Sequence, residues 1–357
     1  MYDWLHRLLR SPAAVPTPKI VDVAAPEQMV ETTEDMCGIG WLQRNEMTAN
    51  FNRWLFDAPV NADIFTSPLE QRVLNALEDI IKGKQSGVNL VRRMPGLIPQ
   101  LLQSLRTDDF SGAALARKIS NDVVLVAAVI RIANNAFYSI DRPITSIEHA
   151  VLVLGQDGLR QLISGVAFKP IIDLKSGYFT QTIAPKCWRQ AECCALAARL
   201  LARGEAVDPF EGFLAGLIQY VGLIVSLRVM DQITDGDMRL GSESFCNTLI
   251  SHARELSCSI AREWQFPAAV VTAIEEQGGK ANFSALSPTG QLLSTADFLS
   301  KLQVLDEHHQ LTSAATQGLK ERALTCLTAL AASTTVGALA DGSEEPAQDR
   351  AATLPEQ

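Results

Sequence analysis

A reactive centre in this chain would have to come from its thiol, imidazole and carboxylate side chains, and their spacing offers few ways to build one. Seven cysteines stand at 37, 187, 193, 194, 246, 258 and 326. An odd number with no C-x-x-C pair suits neither a disulfide framework nor a zinc ribbon, so the thiols read as reduced, mostly buried small hydrophobes. Cys193 and Cys194 point in different directions on one helix, which predicts one buried and one partly exposed thiol rather than a redox pair. His308-His309 beside Asp306-Glu307 reads as a solvated charge cluster at a helix end. The chain has no Gly-rich phosphate loop and no G-x-S-x-G nucleophile elbow.

The elements that must position these groups are helical. Of 357 residues, 47% are hydrophobic and only 6% aromatic, and few stretches alternate apolar with polar, so the expected class is all-α with two or three packed units. Met47, Phe51, Trp54 and Leu55 keep helical spacing. Ser67, Pro68 and Glu70 form a capping box ahead of the stripe Val73, Leu74, Leu77, Ile80 and Ile81, and Gly83 ends that helix. From Asn89 short amphipathic helices follow closely. Thr145 with Glu148 makes a second capping box, closed by Gly155. Longer helices are expected over Trp188 to Ala202, Pro209 to Val229, Glu243 to Trp264, Pro267 to Gln277, Ser287 to Leu305 and Ser313 to Ala332.

This pattern divides the chain into a short helix and Pro-rich linker (1–36), a small helical extension (37–88), a two-lobed body (89–283, with lobes 89–180 and 185–283), C-terminal helices (284–339) and a disordered tail (340–357). Lys+Arg against Asp+Glu counts 8 to 12 over 1–88, 19 to 19 over 89–285 and 4 to 9 over 286–357. No basic stripe gathers, so nucleic acid is not an expected direct ligand. Trp4, Leu5, Leu8 and Leu9 share one side of the first helix, which is too short to stand alone. The N-terminus lacks a signal-peptide pattern, and the longest apolar run, Phe213 to Leu227, falls short of the ~20 residues a bilayer span needs. No membrane span is expected, and the expected location is cytoplasmic.

Three segments closely resemble the HDOD family: Met94-Pro95-Gly96-Leu97-Ile98-Pro99, Ile130-Arg131-Ile132-Ala133-Asn134-Asn135-Ala136-Phe137-Tyr138, and Ile144-Thr145-Ser146-Ile147-Glu148-His149-Ala150-Val151 followed by Leu154-Gly155. They come in family order and spacing, and the resemblance covers roughly residues 89–280. It implies a two-lobed helical bundle of bacterial signalling type, related to the HD and HD-GYP phosphohydrolases.

Those relatives hold a divalent ion with imidazoles and carboxylates, which activate a water. By resemblance, Gln190 stands where the second lobe opens with a ligand His, and Gln219-Tyr220, in Ala215-Gly216-Leu217-Ile218-Gln219-Tyr220-Val221-Gly222, stand where the defining His-Asp pair would be. An amide and a protonated phenol supply neither imidazole nor charge. His252 resembles the histidine of the following helix, Glu275-Glu276-Gln277 replaces a His-His pair, and Asp297 resembles the last acidic ligand. These are the positions of a degenerate metal site, with no catalytic residue, bound metal or cofactor expected. The resemblance implies a non-catalytic regulatory module acting on signalling proteins. Alternatives are a divergent metal-dependent phosphohydrolase with a site rebuilt near Glu192, His252 and Asp297, or a sensor that binds a small nucleotide without cleaving it. Arg131 and Arg142, with Asn134 and Asn135, mark a candidate interaction surface. If they form it, replacing both arginines weakens capture of a partner; unchanged capture removes the surface from consideration.

Overall fold

In a computed structural model the described residues are 35, 37–58, 64–83, 130, 144, 146–147, 149–150, 152–155, 158, 164, 177–234, 240–278, 283–311 and 315–340, the last eight by backbone only. Regular structure among them is helical: α1 (Trp41–Leu55), α2 (Pro68–Lys82), α3 (Tyr178–Ala202), α4 (Pro209–Ile218), α5 (Val221–Thr234), α6 (Glu243–Glu263), α7 (Ala268–Glu276), α8 (Pro288–Glu307) and α9 (Glu321–Ala340), with a 3-10 turn at Phe283–Ala285. The expectations for the first short helix and linker, for the dense helices after Asn89 and for the tail after Ala340 lie outside the described residues.

α3 forms the axis of the bundle. It packs on α4, α5, α8 and α9, while α6 lies against α5 and α2, and α7 bridges α4, α6 and α8. Helices enclosed on several sides need apolar or small residues all round. α3 meets this with Cys187, Ala191, Cys194, Ala195, Ala197 and Ala198, and α8 with Leu292, Leu293, Ala296, Phe298, Leu299 and Leu302. α1 rests on α8, and α2 on α5 and α6.

Helix starts are secured in two ways. Local caps hold α2, where the Ser67–Glu70 box is complete, and α8, where Ser287 Oγ accepts from Gly290 N with Pro288 at the first position. Ser146 Oγ accepts from His149 N at 3.1 Å, while the expected Thr145–Glu148 box lies outside the described residues. Other caps come from distant helices. Asp231 on α5 accepts from Phe179 N and Thr180 N at the start of α3, Glu70 on α2 reaches Gly241 N and Ser242 N before α6, and Glu276 on α7 accepts from Ser287 N before α8. Each carboxylate satisfies amides that no intrahelical carbonyl reaches and opposes the positive end of a helix dipole.

Four expectations need correction. α3 begins at Tyr178 rather than Trp188 and runs through Pro185, because Asp231 caps it from outside. The helix expected over Pro209 to Val229 breaks at Gln219-Tyr220 and resumes to Thr234. The helix expected from Ser313 starts at Glu321: residues 315–318 form a turn, with Gly318 at φ +80°, and Lys320 N binds Cys37 O. Cys193 and Cys194 are both buried, since α3 has neighbours on both sides, and burial pushes the Cys193 thiol up to about 12. The 209–234 stretch has the length and composition of a membrane span, but most of it is buried inside this bundle.

Candidate functional site

Three elements converge on one carboxylate. α3 brings Gln190 and Cys194, one turn apart on a common face; the α4–α5 break brings Gln219 and Tyr220; α8 brings Asp297, Ser300 and Lys301 at i, i+3 and i+4. Close approach sets the break in place. A Cβ on Gly216 would lie 2.6 Å from Ala195 N, and one on Gly222 only 1.8 Å from Ala253 O, so glycine lets α4 touch α3 and α5 touch α6. Ser257 on α6 bridges the interrupted ladder, accepting from Gly222 N and donating to Gln219 O, both at 2.8 Å. A side chain inserted in this way is a recognised cause of a helix break.

Both oxygens of Asp297 are engaged. Tyr220 OH donates to Oδ1 at 2.7 Å, with Gln219 Nε2 at 3.5 Å from the same atom, and the Lys301 ammonium meets Oδ2 at 2.6 Å. Lys301 Nζ also donates to Thr48 Oγ1 on α1 at 3.2 Å and stands 5.7 Å over the Phe51 ring. Gln190 Nε2 donates to Ser300 Oγ at 2.7 Å, Ser300 Oγ donates to the Asp297 carbonyl at 3.0 Å, and Gln219 Nε2 contacts Cys194 Sγ at 3.0 Å. Gln190 is fully buried and its Oε1 has no hydrogen-bond partner. Burial first, and the Asp297 carboxylate second, raise the Tyr220 pKa well above its ordinary value. The phenol is therefore a neutral donor at every physiological pH.

His252 stands apart from this cluster. Its Nδ1 is buried without a partner, and it lies within electrostatic reach of Glu78 on α2, whereas Arg254 on α6 lies within reach of Asp297. Glu192 is exposed and interacts with Arg189. Glu192, His252 and Asp297 are thus not assembled, and among the described residues no three His, Cys, Asp or Glu side chains are grouped to hold a metal ion. The donors that do converge are amides, a phenol and a carboxylate already bound to an ammonium. They do not fit the divalent ion of a phosphohydrolase, which needs imidazole nitrogens and free anionic oxygens. Arg131, Asn134, Asn135 and Arg142 lie outside the described residues. His308 caps α8 and stacks on Trp54 with ring centroids 4.7 Å apart, so it is more than a solvated charge.

The motif resemblance does not point to Ser300 and Lys301. Their i+3 and i+4 spacing from Asp297 on an apolar helix was the available signal.

The HDOD domain family model matches residues 91–279, slightly more than half of the chain. No curated protein matches. Among solved structures, a protein from Shewanella amazonensis provisionally named a metal-dependent phosphohydrolase is similar at 18% identity and a TM-score of 0.52, over 75% of this chain and 99% of its own. An HDOD domain protein of unknown function from Geobacter sulfurreducens gives 18% and 0.52 over 76% and 95%. A protein from Marinobacter aquaeolei, provisionally named for signal transduction, gives 18% and 0.54 over 79% and 67%. At this identity the likeness is one of fold.

Proposed function

The chain belongs to the HDOD family, and from that membership we propose that it is a non-catalytic signal-transduction module, working by protein association in the cytoplasm. One observation carries the reading: Asp297, the carboxylate that resembles an ion ligand, is held by Lys301 and Tyr220, while Gln190 and Gln219 offer only amides beside it. A hydrolase of this type needs a Lewis acid to generate hydroxide near neutral pH. A neutral phenol and an internal ion pair provide none. The similar protein named for signal transduction supports the choice of signalling over metabolism.

The test is elemental analysis of protein purified without chelator, followed by phosphodiester and cyclic-dinucleotide hydrolysis assays with added manganese. The expected result is metal far below one equivalent and no turnover. Near-stoichiometric metal with chelator-sensitive turnover would establish the phosphohydrolase instead. Stabilisation by a nucleotide without turnover would convert the module into a sensor, because a ligand that binds only the folded state raises its melting temperature.

A further inference from the structure

We infer that the ammonium of Lys301 is the resident cation of this site, standing against Asp297 in place of the ion of a metal-dependent relative. The inference rests on the non-catalytic reading above and adds to it a specific replacement group. Three observations converge on it.

The first is coordination. Lys301 Nζ has Asp297 Oδ2 at 2.6 Å, Thr48 Oγ1 at 3.2 Å and the Phe51 ring face at 5.7 Å. Its positive charge thus meets one full negative charge, one hydroxyl dipole and one aromatic face. The second is burial. The Lys301 side chain is 9% exposed, a position a lysine rarely occupies without a paired anion. The third is the surrounding chemistry. Gln190 Oε1 is a buried acceptor with no donor, and the other Asp297 oxygen accepts a hydrogen bond from Tyr220 OH. The cluster is therefore rich in oxygen, and its positive charge is tethered.

The arrangement also shows why restoring ligands alone would not restore an ion. A metal bound by Asp297 would sit beside the Lys301 ammonium, and two cations at that spacing repel strongly where water is scarce. Lys301 further ties the site to α1, which lies outside the family-matched residues, so the N-terminal extension supplies two of the three groups around the cation.

Truncation with chemical rescue tests this. Lys301→Ala should lower the melting temperature by about 3–6 °C, because an anion loses its partner. Ethylammonium or n-propylammonium chloride should recover much of that loss, whereas sodium chloride at equal ionic strength and tetramethylammonium should not. The charge logic is tested independently by Lys301→Met, expected to destabilise, and by Asp297→Asn combined with Lys301→Met, expected to recover at least part of the loss. This pair decides the matter should the alanine variant fail to fold. An unchanged melting temperature in both single variants, or rescue no better than with sodium, overturns the inference. So does additivity of the Asp297 and Lys301 substitutions. None of these outcomes bears on metal content or turnover in the unaltered protein, so the proposed function stands or falls separately.

Discussion

Replacing Gly222 by alanine is expected to be among the most damaging single-methyl changes available in this chain, costing about 3–5 kcal/mol of stability, or a fall of roughly 6–15 °C in melting temperature. The added carbon would lie 1.8 Å from Ala253 O, 2.7 Å from Ser257 N and 2.8 Å from Ser257 Oγ. Two of these are backbone atoms of α6, so no rotamer change relieves the clash and the helices must separate. Separation also breaks the Ser257 bridge to Gly222 N and Gln219 O, which holds the α4–α5 break in its observed shape. Gly40→Ala is the control. That glycine has an ordinary φ of −86° and nothing within 4 Å of a built Cβ, so its replacement should cost no more than about 1 kcal/mol. Equal effects in urea melts of the two variants would show that the α5–α6 approach is not under the constraint described.

The same close approaches explain which parts of the molecule could be read in advance. The Ser67–Glu70 box and the Ser287-Pro288 start lie within a few residues, and a cap of that kind is legible from spacing alone. Spacing alone starts α3 too late because its cap, Asp231, is 52 residues from Phe179 in sequence. The break at Gln219-Tyr220 is not legible from sequence because an apolar run of that length propagates a helix unless a side chain such as Ser257 takes over its hydrogen bonds. At the site, motif resemblance names Gln190, Gln219, Tyr220 and Asp297, since it lists where ligands would stand. It has no place for Lys301, which is not a ligand, and Thr48 and Phe51 fall outside the motif altogether. Motif position groups His252 with the others, yet along α6 it is Arg254 that comes within electrostatic reach of Asp297, while His252 is within reach of Glu78.

Long-range capping makes Glu70 the second position of large expected effect. Glu70 is 2% exposed, and its carboxylate accepts four hydrogen bonds: Gly241 N and Ser242 N on Oε1 at 2.8 Å, Ser67 N at 2.7 Å and Ser242 Oγ at 2.8 Å on Oε2. One side chain thus closes the start of its own helix and the start of α6. Glu70→Ala leaves several buried donors unsatisfied and should cost about 3–5 kcal/mol. Glu70→Gln keeps the shape but turns an amide NH2 toward groups that are themselves donors, so it should cost about 2–4 kcal/mol. The pH dependence follows from the same contacts. Burial would raise the Glu70 pKa, but the bonds from Gly241, Ser67 and Ser242 outweigh it and hold the folded value below the ordinary 4.5. A lowered folded pKa gives stability that is complete above 4.5 and lost as pH falls from there through the folded value. Urea denaturation of the wild-type protein and Glu70→Gln should therefore show their largest gap at neutral pH, with the gap narrowing once pH drops below 4.5. A gap that stays constant into acid would mean that the carboxylate charge contributes nothing to holding α2 and α6 together.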